Sequence, residues 1–260
     1  MRDFELFGSI VTDVRIALSF STILRLGPAE AVSDGDVARA GWALPVAGLL
    51  IGLAGSTIYW IASGIGLTGD AAAILALATT ILITGAIHED GLADTADGLG
   101  GGRTRDQKLE IMRDSRIGTY GACALIISLV LRWSAVATIG KPGPVTAALL
   151  VSHAAARATL PVFMWLVPPA RSDGLSAGAG QPPDRSALIA CGLGAFCLAC
   201  GFGLSRAIAA VFLLLLMGLI MARLATRQVG GQTGDILGAL EQVSEMAIML
   251  MAVALFQTEP

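Results

Sequence analysis

The sequence predicts an all-α fold, a polytopic transmembrane helical bundle, from three observations. Residues are 55% hydrophobic and only 14% charged, where a soluble domain carries about 25% charge. Mean hydropathy is +0.74. Predominantly apolar stretches recur along the whole chain, each approaching the roughly 20 residues that cross a hydrocarbon core as helix. The whole chain, residues 1–260, reads as one integral membrane domain.

Residues 1–25 come first and do not make a clean span. Arg2, Asp3, Glu5, Asp13, Arg15 and Arg25 alternate with Phe4, Leu6, Phe7, Ile10, Val14, Leu18 and Phe20, which fits an amphipathic helix lying at the interface. Asp13 and Arg15 interrupt the only stretch that could serve as a signal-peptide core, so the segment is expected to be retained. About seven spans follow, near 41–65, 71–87, 118–139, 144–167, 187–204, 207–225 and 236–257. Gly48, Gly52 and Gly55 share one face of the first span and invite close helix packing.

Basic residues orient the bundle. With the N-terminus inside, Arg25, Arg39, Arg103, Arg105, Lys108, Arg113, Arg116, Arg171, Arg185, Arg223 and Arg227 fall on one side, while Lys141 and Arg206 flank the other. By the positive-inside rule the first side is cytoplasmic. Two unusual polar segments, 88–119 and 228–238, emerge there together. The net charge of -3 is concentrated in such loops, and no basic tail suggests nucleic acid.

The first polar segment begins His88-Glu89-Asp90-Gly91-Leu92-Ala93-Asp94-Thr95-Ala96-Asp97-Gly98. In a helix, Asp90, Asp94 and Asp97 stack on one face at i, i+4 and i+7. A capping role explains one such carboxylate and not three. Oxygen-only ligands point to a hard cation, magnesium, manganese or calcium, and hence to phosphate chemistry. Glu89 is read as a further metal or supporting group, and His88 or one of the aspartates, Asp94 or Asp97, as the proton acceptor. Next comes Glu110-Ile111-Met112-Arg113-Asp114-Ser115-Arg116. If helical, its charges form salt bridges at i, i+3 and i, i+4; beside the acidic triplet, Arg113 and Arg116 are read as gripping phosphate oxygens, with Asp114 orienting them.

The second segment, Gly230-Gly231-Gln232-Thr233-Gly234-Asp235, combines permissive backbone with an amide, a hydroxyl and a carboxylate. Asp235 is expected to join the metal site, with Gln232 and Thr233 binding substrate. Glu241, Glu245, His153 and Arg157 lie inside apolar stretches, where ionisable groups face a cavity or a partner. Arg157 and Glu245 are accordingly assigned to substrate. Arg132 receives no role, since its side chain could snorkel. Cys123, Cys191, Cys197 and Cys200 are read as small packing residues.

These motifs resemble one family. His88-x-Asp-Gly-Leu-Ala-Asp-Thr-x-Asp-Gly98, Glu110-Ile-Met-Arg-Asp-Ser-Arg-x-Gly-Thr119 and Gly230-Gly-Gln-Thr-Gly-Asp-x-Leu-Gly238, in this order with apolar spans between them, are similar to the cobalamin synthase family, the adenosylcobinamide-GDP ribazoletransferases of bacteria and archaea. Two departures stand out: Glu89 adds an acid beside the first motif, and the family's Glu-x-x-Glu after the third appears as Gln242 and Glu245, with Glu241 shifted by one. The resemblance implies a Mg²⁺-dependent enzyme of the cytoplasmic membrane. Its reaction would be attack of the α-ribazole or α-ribazole 5'-phosphate hydroxyl on adenosylcobinamide-GDP, with release of GMP. Expected partners are these two substrates and the lipid bilayer, with a homo-oligomer admitted and nucleic acid excluded.

Two rivals fit less well. A lipid-type CDP-alcohol phosphotransferase expects Asp-Gly-x-x-Ala-Arg, whereas here Asp90-Gly91-Leu92-Ala93 is followed by Asp94 and no arginine. A cation-coupled transporter would explain Glu241, Glu245 and Arg157, yet it expects acids near the midplane and two related halves, whereas most acids here gather at one face.

Overall fold

A computed structural model describes residues 2–24, 26 and 35–256; Arg25, counted above for orientation, lies outside them. Among the described residues the elements are all helical: α1 (Arg2–Ser21), α2 (Asp36–Arg39), α3 (Leu44–Gly64), α4 (Gly69–Thr84), α5 (Ile87–Gly101), α6 (Arg105–Ile111), α7 (Thr119–Ile139), α8 (Pro142–Leu166), α9 (Leu175–Ala179), α10 (Asp184–Phe202), α11 (Leu204–Val229) and α12 (Gly234–Phe256). A 3-10 turn, Ala40–Ala43, joins α2 to α3.

Six helices are each long and apolar enough to cross a membrane: the one ending α3, then α7, α8, α10, α11 and α12. The second expected span is the exception. α4 passes that test only together with α5, and the two are bent by 86°. The corner is a glycine-ended helix terminus: the Gly85 N–H donates to Leu82 O at 3.2 Å and the Ala86 N–H to Ile81 O at 3.0 Å, with both residues left-handed, at φ 64° and 58°. Beyond it, α5 carries Glu89, Asp90, Asp94 and Asp97 in 15 residues. At about 1.5 Å per residue it is also too short to cross alone. Neither helix is long enough alone, so α4 and α5 together make a broken span or a re-entrant pair, with α5 turned sharply from the α4 axis.

Helix α8 is the hub. Of its most apolar window 78% is buried inside the protein, against 17% for α11, which faces lipid. Small residues bring α3 onto it: a Cβ at Gly52 would stand 2.6 Å from the Leu149 carbonyl oxygen, and one at Gly48 would strike the His153 carbonyl. Without side chains there, backbones touch and dispersion contacts hold helices that the bilayer does not drive together. Residues such as Tyr59, Leu149, Leu198 and Ile248 fill one core cluster, and Leu44, Phe163, Ile236 and Leu240 a second beside the polar loops.

Three polar connections share one face. The Arg105 side chain donates to Val229 O at 2.9 Å and Ala170 O at 2.6 Å, and Pro169 pairs with Gln232 in an isolated parallel bridge. At the opposite end, the Tyr59 hydroxyl donates to Gly140 O at 2.9 Å. α1 is not among the helices apolar enough to cross; its Asp13 accepts from Trp42 Nε1 at 2.8 Å and pairs with Arg39, tying it to the start of α3.

Candidate active site

Helices α5 and α12 cross where two motif glycines meet. A Cβ on Gly91 would lie 2.8 Å from Asp235 O, and one on Gly238 3.3 Å from the His88 Cα. This contact brings the first and third motifs into register and sets Asp90 and Asp235 on the wall of one cavity of about 180 Å³. His88, Arg171 and Ser176 complete its polar side; Phe20, Leu44, Leu160 and Met164 form much of its apolar side. Replacing Gly238 by leucine is expected to prise α12 off α5 and lower activity at least about 100-fold, the scale on which an ångström of misplacement acts. Circular dichroism of the purified variant should retain its helical signal.

Asp94 lies one turn beyond Asp90 on α5. Burial, and then the neighbouring Asp90, Asp235 and Asp97 in that order, push its carboxyl up to about 7. The cluster thus holds more negative charge than its surroundings compensate. Its donors are all oxygens, which suits a hard divalent cation.

Asp97 has other partners. Its Oδ2 accepts the Gly118 N–H at 2.7 Å and its Oδ1 the Gly121 N–H at 2.9 Å. Those N–H groups open α7, so the buried carboxylate caps that helix from a distance and sits at the positive end of its dipole. A Cβ on either glycine would collide with the Asp97 carboxylate. Of the acidic group only Asp90 and Asp235 line the cavity, and no three of Asp90, Asp94, Asp97 and Asp235 bring ligand oxygens within 4.8 Å of one another.

Glu89 points elsewhere. One position round the helix from Asp90, it accepts from Arg132 Nη2 at 3.0 Å and Gln242 Nε2 at 3.3 Å inside the bundle, a correction to its expected place at the metal. Arg132, expected to snorkel, is 1% exposed and also pairs with Glu245 at 3.3 Å. Glu245 Oε2 lies 3.0 Å from His153 Nδ1. Arg157 Nη1 approaches Glu241 Oε1 at 2.6 Å, an ion pair too poorly aligned to count as a hydrogen bond, and its Nη2 is 3.4 Å from His88 Nδ1. Hence Arg157 and Glu245, expected to touch substrate, stand behind the cavity wall as supports. His153, Glu241 and Glu245 bring ligand atoms within 4.8 Å of one another, but two guanidinium groups already occupy these carboxylates, so the group is an ion-pair network.

The third motif is a set of staples. Gly230 ends α11 at φ 85°, and a Cβ on Gly231 would collide with the Pro168 carbonyl. Gln232 accepts from Ser176 Oγ at 2.7 Å, while Thr233 Oγ1 accepts the Ile236 N–H at 3.2 Å and donates to Asp235 Oδ2 at 3.1 Å. Both residues are 1% exposed and neither lines the cavity: Thr233 positions Asp235, while Gln232 ties the loop to Ser176 and to Pro168 and Ala170. In the middle motif α6 ends at Ile111, so the expected helical spacing of the charges is not realised. Instead Arg113 Nη2 pairs with Asp173 at 2.6 Å and Arg116 Nη2 with Asp114 at 2.5 Å. Hydrogen bonding from the Arg116 guanidinium holds the Asp114 carboxyl below its usual range. None of Arg113, Asp114 and Arg116 lines the cavity. Sequence reasoning missed Arg132 and Arg171; the signal for the first was a guanidinium amid an apolar run, and the second counted only as a loop charge.

Comparison with known proteins accords with this arrangement. The chain is 62% identical over 250 residues to an adenosylcobinamide-GDP ribazoletransferase of Bradyrhizobium diazoefficiens, covering 96% of each chain. It is 49% identical over 243 residues to the protein of that name from Mesorhizobium japonicum, covering 94% of this chain and 93% of the relative. For the Azorhizobium caulinodans protein the identity is 46% over 251 residues, with 93% and 95% covered. No solved structure matches. The model of the cobalamin-5-phosphate synthase family matches residues 13–253, from the Asp13 contact on α1 to the last turn of α12, and with the relatives it shows that this membrane-helix chain belongs to that family of enzymes.

Proposed function

We propose that this protein transfers the adenosylcobinamide-phosphate group of adenosylcobinamide-GDP to α-ribazole or α-ribazole 5'-phosphate, releasing GMP, as the last assembly step of cobalamin synthesis. The observation that carries the reading is the convergence of Asp90 and Asp235, from motifs well over a hundred residues apart, on one cavity. The names of the relatives supply the substrate class.

The chemistry fits the residues. The acceptor hydroxyl oxygen bonds to the cobinamide-side phosphorus, the bond from that phosphorus to the bridging oxygen breaks, and GMP leaves with that oxygen. Asp90, Asp94 and Asp235 would hold Mg²⁺. When bound, it supplies neutralisation of the diphosphate and of the leaving GMP. His88 lies on the same wall; Arg157 behind it, with Nη2 3.4 Å from His88 Nδ1, can only donate to that nitrogen, so the neutral ring carries its proton on Nε2 and serves as a hydrogen-bond donor, while the hydroxyl proton passes to a carboxylate of the acidic cluster. At about 180 Å³ the cavity is smaller than the ~300–1,000 Å³ of common ligand pockets. It would take one end of a substrate, leaving the corrin outside.

The test is direct: purified protein in lipid, adenosylcobinamide-GDP, either acceptor and Mg²⁺, with GMP release and cobalamin formation followed together. Formation of neither product sinks the reading. A second expectation concerns sidedness. The face that holds the site's loops carries most of the basic residues, so we place it on the cytoplasmic side of the inner membrane. A cysteine at exposed Gly101, in a cysteine-free background, should stay unlabelled by impermeant reagent in intact cells and react after lysis.

A further inference from the structure

Arg171 is the one arginine on the cavity wall, and its setting differs from that of every other arginine near the acids. It follows Ala170, whose N–H donates to Gln232 O at 2.8 Å and whose carbonyl accepts from Arg105 at 2.6 Å, so its backbone is fixed against the third motif from both sides. The side chain is 18% exposed, and its nearest carboxylate oxygens are 3.8 Å away on Asp235 and 4.0 Å away on Asp173, both beyond hydrogen-bond length. Its Nη1 is buried with no hydrogen-bond partner among the described residues. By contrast, Arg113 and Arg116 are exposed and paired at 2.6 and 2.5 Å; Arg132 and Arg157 also bury an unpartnered Nε, but both stand in the ion-pair network behind the wall, and Arg171 alone faces the cavity.

A buried guanidinium N–H without an acceptor is costly to leave unmade. Here it shares a cavity with carboxylates suited to a cation. A phosphoryl group satisfies both at once: its oxygens accept the planar fork on one side and approach the neutralised acids on the other. We propose that Arg171 is a phosphate-binding residue of this site, its guanidinium donating to a non-bridging phosphoryl oxygen held over Asp90 and Asp235. The inference rests on the phosphoryl-transfer reading above. The phosphoryl group belongs either to the donor's diphosphate or to the acceptor's 5'-phosphate.

The experiment compares full-length wild type, Arg171→Gln and Arg171→Lys in lipid. Steady-state kinetics are measured with adenosylcobinamide-GDP and, separately, α-ribazole and α-ribazole 5'-phosphate. At least a tenfold fall in kcat/KM is expected for Arg171→Gln, partly restored by added guanidinium, which a merely structural loss would not allow. A fall with both acceptors assigns the guanidinium to the donor diphosphate; a fall confined to the phosphorylated acceptor, seen as a raised KM, assigns it to the 5'-phosphate. Should the glutamine variant fail to melt cooperatively, Arg171→Lys, which keeps the charge and loses the fork, carries the same comparison with at least a threefold fall expected. Unchanged kcat/KM with every substrate in the folded variant overturns the proposal. Absence of GMP release from the wild type overturns the underlying reading instead, so the two failures are distinct.

Discussion

Asp94→Ala should abolish turnover while leaving the protein as stable as before, or more so. Asp94 lies among Asp90, Asp235 and Asp97, which together with burial push its carboxyl up to about 7. Removing one of several repelling carboxylates relieves strain in the metal-free protein. The same change removes a proposed oxygen ligand, and kcat should fall by roughly three orders of magnitude, about 4 kcal/mol of transition-state stabilisation. GMP release at saturating Mg²⁺, measured beside thermal unfolding in detergent, reads both effects. Turnover near wild type would remove Asp94 from the site. A lowered melting point with lost activity would mean that the carboxylate supports the fold.

Arg132→Met should show the reverse pattern, with stability failing first. Arg132 is 1% exposed and neutralises Glu89 at 3.0 Å and Glu245 at 3.3 Å. Methionine fills similar space but leaves both carboxylates buried without their cation, which typically costs about 3–5 kcal/mol when one partner of a buried pair is removed. Glu89 is one residue from Asp90, so loosening α5 would also disturb the acids. Chemical denaturation in mixed micelles reads the loss, and a stability within about 1 kcal/mol of wild type would show the network to be dispensable.

Much of this molecule was legible in the sequence because its determinants are local. Apolar stretches marked the helices that cross, and the stripe of Gly48 and Gly52 anticipated the backbone contact of α3 with α8. The one-face spacing of Asp90, Asp94 and Asp97 required only that residues 87–101 be helical, and they are. What stayed hidden depends on which way neighbouring faces point in three dimensions. Glu89 and Asp90 are adjacent in sequence, yet one turns into the bundle towards Arg132 and the other towards the cavity. Asp97 shares the acidic face, but the N-terminus of α7 arrives there and takes both oxygens, an encounter between residues 97 and 118 to 121 that spacing along one helix does not encode. Likewise Arg171 gains its setting only because Pro169 pairs with Gln232 across the loops.

The corner at Gly85 and Ala86 has a consequence for the membrane itself. α4 has 16 residues before it turns, about 24 Å of helix, which is shorter than a hydrocarbon core of roughly 30 Å. Its neighbours α7, α8 and α11 run for 21, 25 and 26 residues. If α4 alone spans, the bundle is notched on one side, and the acidic helix beyond the corner lies deeper than the ends of its longer neighbours. Lipid beside α4 must thin or tilt to meet it, at a fraction of a kcal/mol for each ångström of mismatch. Bilayer thickness would then act on the reaction: a thick membrane would strain the corner that aims α5, and a thin one would relax it.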